Sequence, residues 1–215
     1  MALSADPAEA ARVLRLGPAL QCEVERNRRL RRAPVLPAIE RYSGVLYEGI
    51  GVSGLTPDAR AWLDGHVLIA SALFGLVTPE DPIPAYRLSG STALPGLSLP
   101  RHWAVPVSRA IARSGEWVLD ARSSAYRALG SATAGSALLH VEAESPDGRR
   151  RALNHFNKGA KGRLARRLAE TGAQVTSRSE LIAWGRTAAG VHLEERGEHD
   201  VTLLVADDRT PSGHP

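Results

Sequence analysis

The chain of 215 residues, 43% hydrophobic and 23% charged, has globular composition and the length of one ordinary domain or two small ones. Its net charge of +4 permits a phosphate-bearing partner without demanding one. No run reaches the roughly 18 apolar residues of a bilayer span and no apolar signal core opens the chain, which implies a cytoplasmic protein with no membrane partner. Cys22 is the only cysteine, excluding an internal disulfide and any multi-cysteine metal site.

In chain order, helical spacing runs from Asp6 to about Leu30 with a break at Gly17-Pro18. The arginine run Arg26 to Arg32 interleaves with Glu23 and Glu25 as a solvated helical face does. Arg32 to Pro37 reads as a linker. Thr56-Pro57-Asp58 opens a helix through Trp62, with Thr as cap and Pro in the first turn. His66 to Phe74, apolar and bounded by Gly65 and Gly75, has the length of a buried strand, and Trp117 to Asp120 is a second candidate. Thr78 to Arg87 is a proline-rich loop in which Asp81 and Arg87 either pair with each other or hold a ligand.

Strands at Ser136 to Glu144 and Arg150 to His155 flank Pro146-Asp147-Gly148. A two-residue loop at Asp147-Gly148 would set His140 opposite His155. Lys161 to Glu170 is an amphipathic helix ended by Gly172, and Ser177 to Glu180 has the capping-box spacing of another helix through Trp184. Val191 to Glu194 and Val201 to Val205 form a terminal hairpin. The expected organisation is N-terminal helices and linker over 1–36, one α+β (mixed α/β) domain over 37–206 with a central mixed sheet, flanking helices and hairpins, and a loose tail over 207–215.

The chemistry concentrates at Asn154 to Arg163. Lys158 and Lys161 are the only lysines in a chain of 27 basic residues, and they stand three apart. A site that needs compact ammonium charge rather than a guanidinium fork has this composition. A glycine-bearing turn running into a helix also presents unpaired amides and the positive dipole end, which together make an anion site. Asn157 would position the loop; Lys158, Lys161 and Arg163 would hold the anion; Arg166 and Arg167 would extend the contact along a phosphate backbone. The P-loop spacing is missing. A solvated Lys–Arg helical face that needs no ligand is the alternative. His140, His155 and Glu142 fall short of a full metal-ligand set, so neither metal nor cofactor is expected. Ser123 and Tyr126 are placed to orient a substrate, but no nucleophile elbow is present.

Four ordered stretches, Tyr42 to Gly49, Ser71 to Leu88, Leu119 to Tyr126 and His155 to Arg163, resemble the YaaA family of bacterial peroxide-stress proteins over roughly residues 15–190. The resemblance implies a mixed α/β domain of YaaA-like topology in a cytoplasmic protein that limits peroxide damage by lowering unincorporated iron. It also implies binding of double-stranded DNA through a helix-hairpin-helix element. The departures are an opening near Asp6 without the family's first strand and its polar lysine loop, Thr78 where a basic residue is usual, Gly90-Ser91 for Met-Gly, and Ala128-Leu129-Gly130 for Trp-Lys-Pro. A shortened gene model, a decayed paralogue and a relative with altered ligand preference are the alternatives these leave.

The leading expectation is therefore a peroxide-stress protein whose partner is duplex DNA. The runner-up is an enzyme acting on a small anionic metabolite, with Lys161 as electrostatic clamp and His155 or Tyr126 as acid/base, in a pocket shared by Tyr86, Arg87, Tyr126 and Lys158. An inactive, truncated paralogue is the third reading.

Overall fold

The computed structural model describes residues 3–145, 147–153 and 157–206. In chain order the helices are α1 Pro7–Val13, α2 Cys22–Arg28, α3 Ala38–Arg41, α4 Val45–Ile50, α5 Pro57–His66, α6 Leu99–Ser114, α7 Ser124–Arg127, α8 Asn157–Glu170 and α9 Arg178–Thr187. The strands are β1 Val35–Pro37, β2 Ile69–Ser71, β3 Gly75–Val77, β4 Pro82–Pro84, β5 Leu119–Asp120, β6 Ala137–Glu144, β7 Arg150–Ala152, β8 His192–Arg196 and β9 Asp200–Ala206. The fold is α+β with mixed sheets. Two compact units interleave along the chain: one holds residues up to Tyr42, Asp64–Gly115 and Arg122–Thr133, the other Ser43–Leu63, Glu116–Ala121 and the chain from Ala134 on.

In the first unit, Asp6 caps α1 by accepting from the amides of Ala8 and Glu9, and the chain breaks at Gly17-Pro18 as the sequence predicts. Two expectations change. The linker ends in β1, which pairs antiparallel with β4 of the proline-rich loop, Leu36 opposite Ile83. Prolines suit this ribbon because neither strand needs a second neighbour. The apolar run from His66 to Phe74 is not one strand: α5 extends through His66, and β2 turns into β3 at residues 72–74. Ser71 Oγ accepts from the amides of Leu73 and Phe74 and bends the chain there. Gly75 then takes φ +80, where a Cβ would lie 2.8 Å from the Trp103 ring.

Trp103 belongs to α6, the longest helix among the described residues, which falls where the sequence shows no element because Pro100 and Pro106 interrupt its pattern. Ser98 caps it, and Pro100 sits in its first turn, where a missing amide costs nothing. Ala72, Leu99 and Leu129 form a buried cluster on which Leu88, Leu94, Trp103 and Tyr126 pack.

In the second unit β6 is the spine of a mixed sheet. One edge pairs parallel with β5 and antiparallel with β7; the other pairs parallel with β9, beyond which β8 runs antiparallel. Strict alternation buries Ala137, Leu139, Val141 and Ala143 on one face of β6. These residues pack with Val201 and Leu203 of β9, Ala160 and Leu164 of α8, and Leu181 and Ile182 of α9. The expected terminal hairpin forms with Arg196 opposite Asp200, and Ser177 caps α9.

The β6–β7 hairpin departs from its expected register. Ser145 bonds Arg149, leaving three residues between them, and Glu144 faces Arg150. A two-residue loop would shift every pair by one and exchange the faces. On its β9 side His140 pairs with Thr202, and its Nε2 lies 2.9 Å from Asp200 Oδ2. The expected partner His155 lies outside the described residues, as do Pro146 and the tail from Asp207.

Candidate functional site

The segment around Lys158 and Lys161 is helical from Asn157, not a loop running into a helix at Lys161. Its glycines serve packing. A Cβ on Gly162 would lie 2.0 Å from the Leu46 carbonyl oxygen, and one on Gly49 would lie 2.5 Å from the Gly159 oxygen. Gly49, Gly159 and Gly162 thus let α4 and α8 meet backbone to backbone.

The cations of α8 divide. Lys161 is half-buried and its Nζ donates to the Ala121 carbonyl at 2.9 Å. Arg166 donates to the carbonyls of Ile50, Gly51 and Gly54, which close the end of α4, and also pairs with Glu170. Arg167 approaches Glu170 at 3.6 Å. Lys158 and Arg163 are exposed, and Asn157 is half-buried at the first helical position. At about 100° per residue, Lys158 and Arg163 stand about 140° apart around the helix, so they do not form one ridge. His155 lies outside the described residues.

Tyr86, Arg87 and Tyr126, together with Tyr42 and Ser71, come together in the first unit. Tyr86 hydroxyl lies 2.7 Å from Ser71 Oγ and 2.6 Å from the Tyr42 hydroxyl. Its ring meets Phe74 and Tyr42 edge-on, and Ser71 is fully buried. Tyr126 packs its ring on Gly90. Burial pushes the Tyr86 phenol far above its ordinary value; the Ser71 bond opposes this, and the Tyr42 bond adds to it. Burial likewise raises Tyr126, opposed by the Gly90 amide and the Arg87 charge. Both phenols are therefore neutral donors at physiological pH.

Arg87 is held by its main chain. Asn27 Oδ1 accepts from its amide at 2.8 Å, and Asn27 Nδ2 donates to its carbonyl at 2.9 Å. The side chain is exposed and, among the described residues, has no hydrogen-bonded partner and no ion pair. Asp81 does not pair with Arg87; its carboxylate accepts from the Thr78 amide at 2.7 Å and shapes the loop. Ser123 is exposed at the start of α7, where its side chain makes no capping bond.

Sequence reasoning passed over Asn27, hidden in a run of arginines and glutamates, although it is one of only three asparagines. Tyr42 and Ser71 stood in the family-like stretches without an assigned role. A cavity of about 550 Å³ between α9 and β8, lined by Ile182, Arg186, His192 and Leu193 among others, contains none of the expected site residues. Among the described residues no group of three or more His, Cys, Asp or Glu side chains is placed to hold a metal, and no helix is long and apolar enough to cross a membrane.

An α+β protein with this order of motifs falls into one class on comparison with known proteins. Residues 2–194 match the family described as peroxide stress protein YaaA, and the chain belongs to that family. It is 38% identical over 205 residues to a UPF0246 protein of Corynebacterium efficiens, covering 93% of this chain and 82% of that one. A UPF0246 protein of Corynebacterium glutamicum is 39% identical over 202 residues, with 92% and 80% covered. One of Streptomyces coelicolor is 37% identical over 184 residues, with 82% and 70% covered.

Proposed function

We propose that this member of the peroxide-stress family works by holding a small oxyanion-bearing molecule beside Arg87 and the phenols of Tyr126 and Tyr86. The observation that carries the reading is the Arg87 guanidinium, anchored through its main chain by Asn27 yet without a counter-ion among the described residues. Among the described residues, no carboxylate is among the influences on either displaced phenol. A positive charge set among neutral donors favours an anion on both charge and hydrogen-bonding grounds. In the cytoplasm such binding would serve the limitation of peroxide damage linked to unincorporated iron. Titration calorimetry with inorganic sulfate tests it: Arg87→Gln should weaken binding at least about tenfold, an Arg-anion hydrogen-bonded contact being worth about 1.5–3 kcal/mol, while Lys158→Ala should leave it unchanged. Equal affinity of the Arg87 variant and the parent protein refutes the reading.

Double-stranded DNA is the second reading, favoured by the exposure of Lys158 and Arg163 on α8. Lys161 and Arg166 are less suited to it, because their charged groups already bond backbone carbonyls. Replacing both Lys158 and Arg163 by alanine should weaken duplex binding uniformly across sequences and reduce its salt slope by about 1 per lost phosphate contact. An unchanged slope removes α8 from the interface.

A further inference from the structure

The cavity between α9 and β8 runs along the edge of a sheet. Among the described residues β8 pairs only with β9, so its outer side is open. Residues 191–195, five in a row, line the cavity together with Ile182, Gly185, Arg186 and Ala188. Side chains of a strand alternate between its two faces, so a cavity that meets every one of them lies beside the strand, along its backbone. In an antiparallel ladder alternate residues turn their N–H and C=O away from the partner strand, and on β8 that side is the cavity's.

The charges of β8 do not guard this edge. Arg150 of β7 donates to Glu194 at 2.6 Å, and Arg196 donates to Glu142 of β6. Both partners lie beyond β9, so these two side chains lean inward across the sheet. Glu195 turns to Arg178, 3.5 Å away at the start of α9. Charges that stand over an edge strand blunt it against pairing, and here they are drawn off it.

The groove has a polarity and a closed end. Glu195 lies by the first residue of α9, and Leu193 lies by Gly185, where a Cβ would meet Leu193 Cδ1 at 2.9 Å. Helix and strand are therefore antiparallel, and Arg186 falls at the His192 end. There Ala188 and Val191, on the connection between the two elements, wall the cavity, so a guest chain lying along β8 must stop. Arg186 is exposed and, among the described residues, has no hydrogen-bonded partner and no ion pair. Ile182 and Leu193, both buried, make the floor beside it apolar.

We propose that this groove binds the C-terminal end of a partner polypeptide by strand addition. An extended segment pairs antiparallel with the β8 edge, rests an apolar last side chain on Ile182 and Leu193, and places its terminal carboxylate against Arg186. Charge fixes the direction, since a parallel strand would bring its N-terminal ammonium to the Arg186 end. The site shares no residue with the Arg87 cluster and does not depend on it.

The test sets the full chain against an array of random hexapeptides, made once with free C-terminal carboxyl groups and once amidated. Free-acid peptides ending in an apolar residue should be retained and their amides should not. In fluorescence anisotropy the strongest free-acid peptide should bind at least about tenfold more tightly than its amide, as a charged hydrogen-bonded contact implies. Arg186→Gln should abolish that ratio with an unchanged circular dichroism spectrum. N-methylation of alternate peptide amides should abolish binding in one register and spare it in the other, because only every second amide of an added strand points at β8. Equal binding of acid and amide, a ratio that survives Arg186→Gln, or tolerance of N-methylation at every position overturns the proposal. So does retention of neither array; a chain that then also sediments as a dimer has a second copy on this edge instead.

Discussion

In the α4–α8 seam, Lys161 and Arg166 end on backbone carbonyls, and the glycines among them exist so that two helices can touch. In the tyrosine cluster the arrangement is reversed: the main chain of Arg87 is clamped by Asn27, and its exposed guanidinium has no partner among the described residues. The same residue type closes a helix end in one unit and presents charge in the other. A cation therefore marks a binding site only when its own bonds are known, because three carbonyls satisfy a guanidinium as well as an anion does.

The largest effect expected from breaking this contrast is on stability. Gly162→Ala drives a Cβ into the Leu46 carbonyl and should cost about 3 kcal/mol or more in urea unfolding. Gly159→Ala meets Val45 Cγ1 and the Arg163 side chain at 3.3 Å and the Val45 carbonyl oxygen at 3.8 Å, and should cost under about 1 kcal/mol. Equal losses would mean that the seam is looser than backbone contact requires.

A smaller separation is expected within α8 itself. Arg166→Ala leaves the carbonyls of Ile50, Gly51 and Gly54 without their donor and should destabilise by about 1–3 kcal/mol. Arg163→Ala, at an exposed position, should stay within about 0.5 kcal/mol. Reversal of that order in denaturant melts would show that Arg163, not Arg166, ties the helices.

The smallest effect is the pH response of the tyrosine cluster. Tyr86 and Tyr126 have phenol pKa values raised in the folded chain, chiefly by burial. Their stabilisation is complete below the unfolded value of about 10 and is lost as pH rises above it, because the unfolded chain releases these protons first. In ultraviolet titration Tyr86→Phe should remove a late-ionising component; loss of an early one instead would show that the hydroxyl chain is open to water.

Much of the second unit was legible from pattern. Alternation marked β6, hairpin signals marked β8 and β9, and Ser177 with Glu180 marked the start of α9. Each depends on residues near one another in sequence. The hairpin after β6 was legible only to within one residue, since a three-residue and a two-residue loop share the same Asp-Gly signal. In the first unit the apolar run His66 to Phe74 misled, because its turn is made by a serine side chain within it, and α6 was hidden by its prolines.

By itself the sequence determined the α+β class, the resemblance to the peroxide-stress family that the comparisons bear out, and the residue types available for an anion. Only tertiary structure decided which cations are occupied. Arg166 and Ile50 are 116 residues apart, Asn27 and Arg87 60 apart, and no local pattern encodes which carbonyl or amide a side chain will meet. Hydrogen-bond satisfaction is a property of the packed chain: a lysine reads the same in sequence whether its proton goes to Ala121 or to a guest.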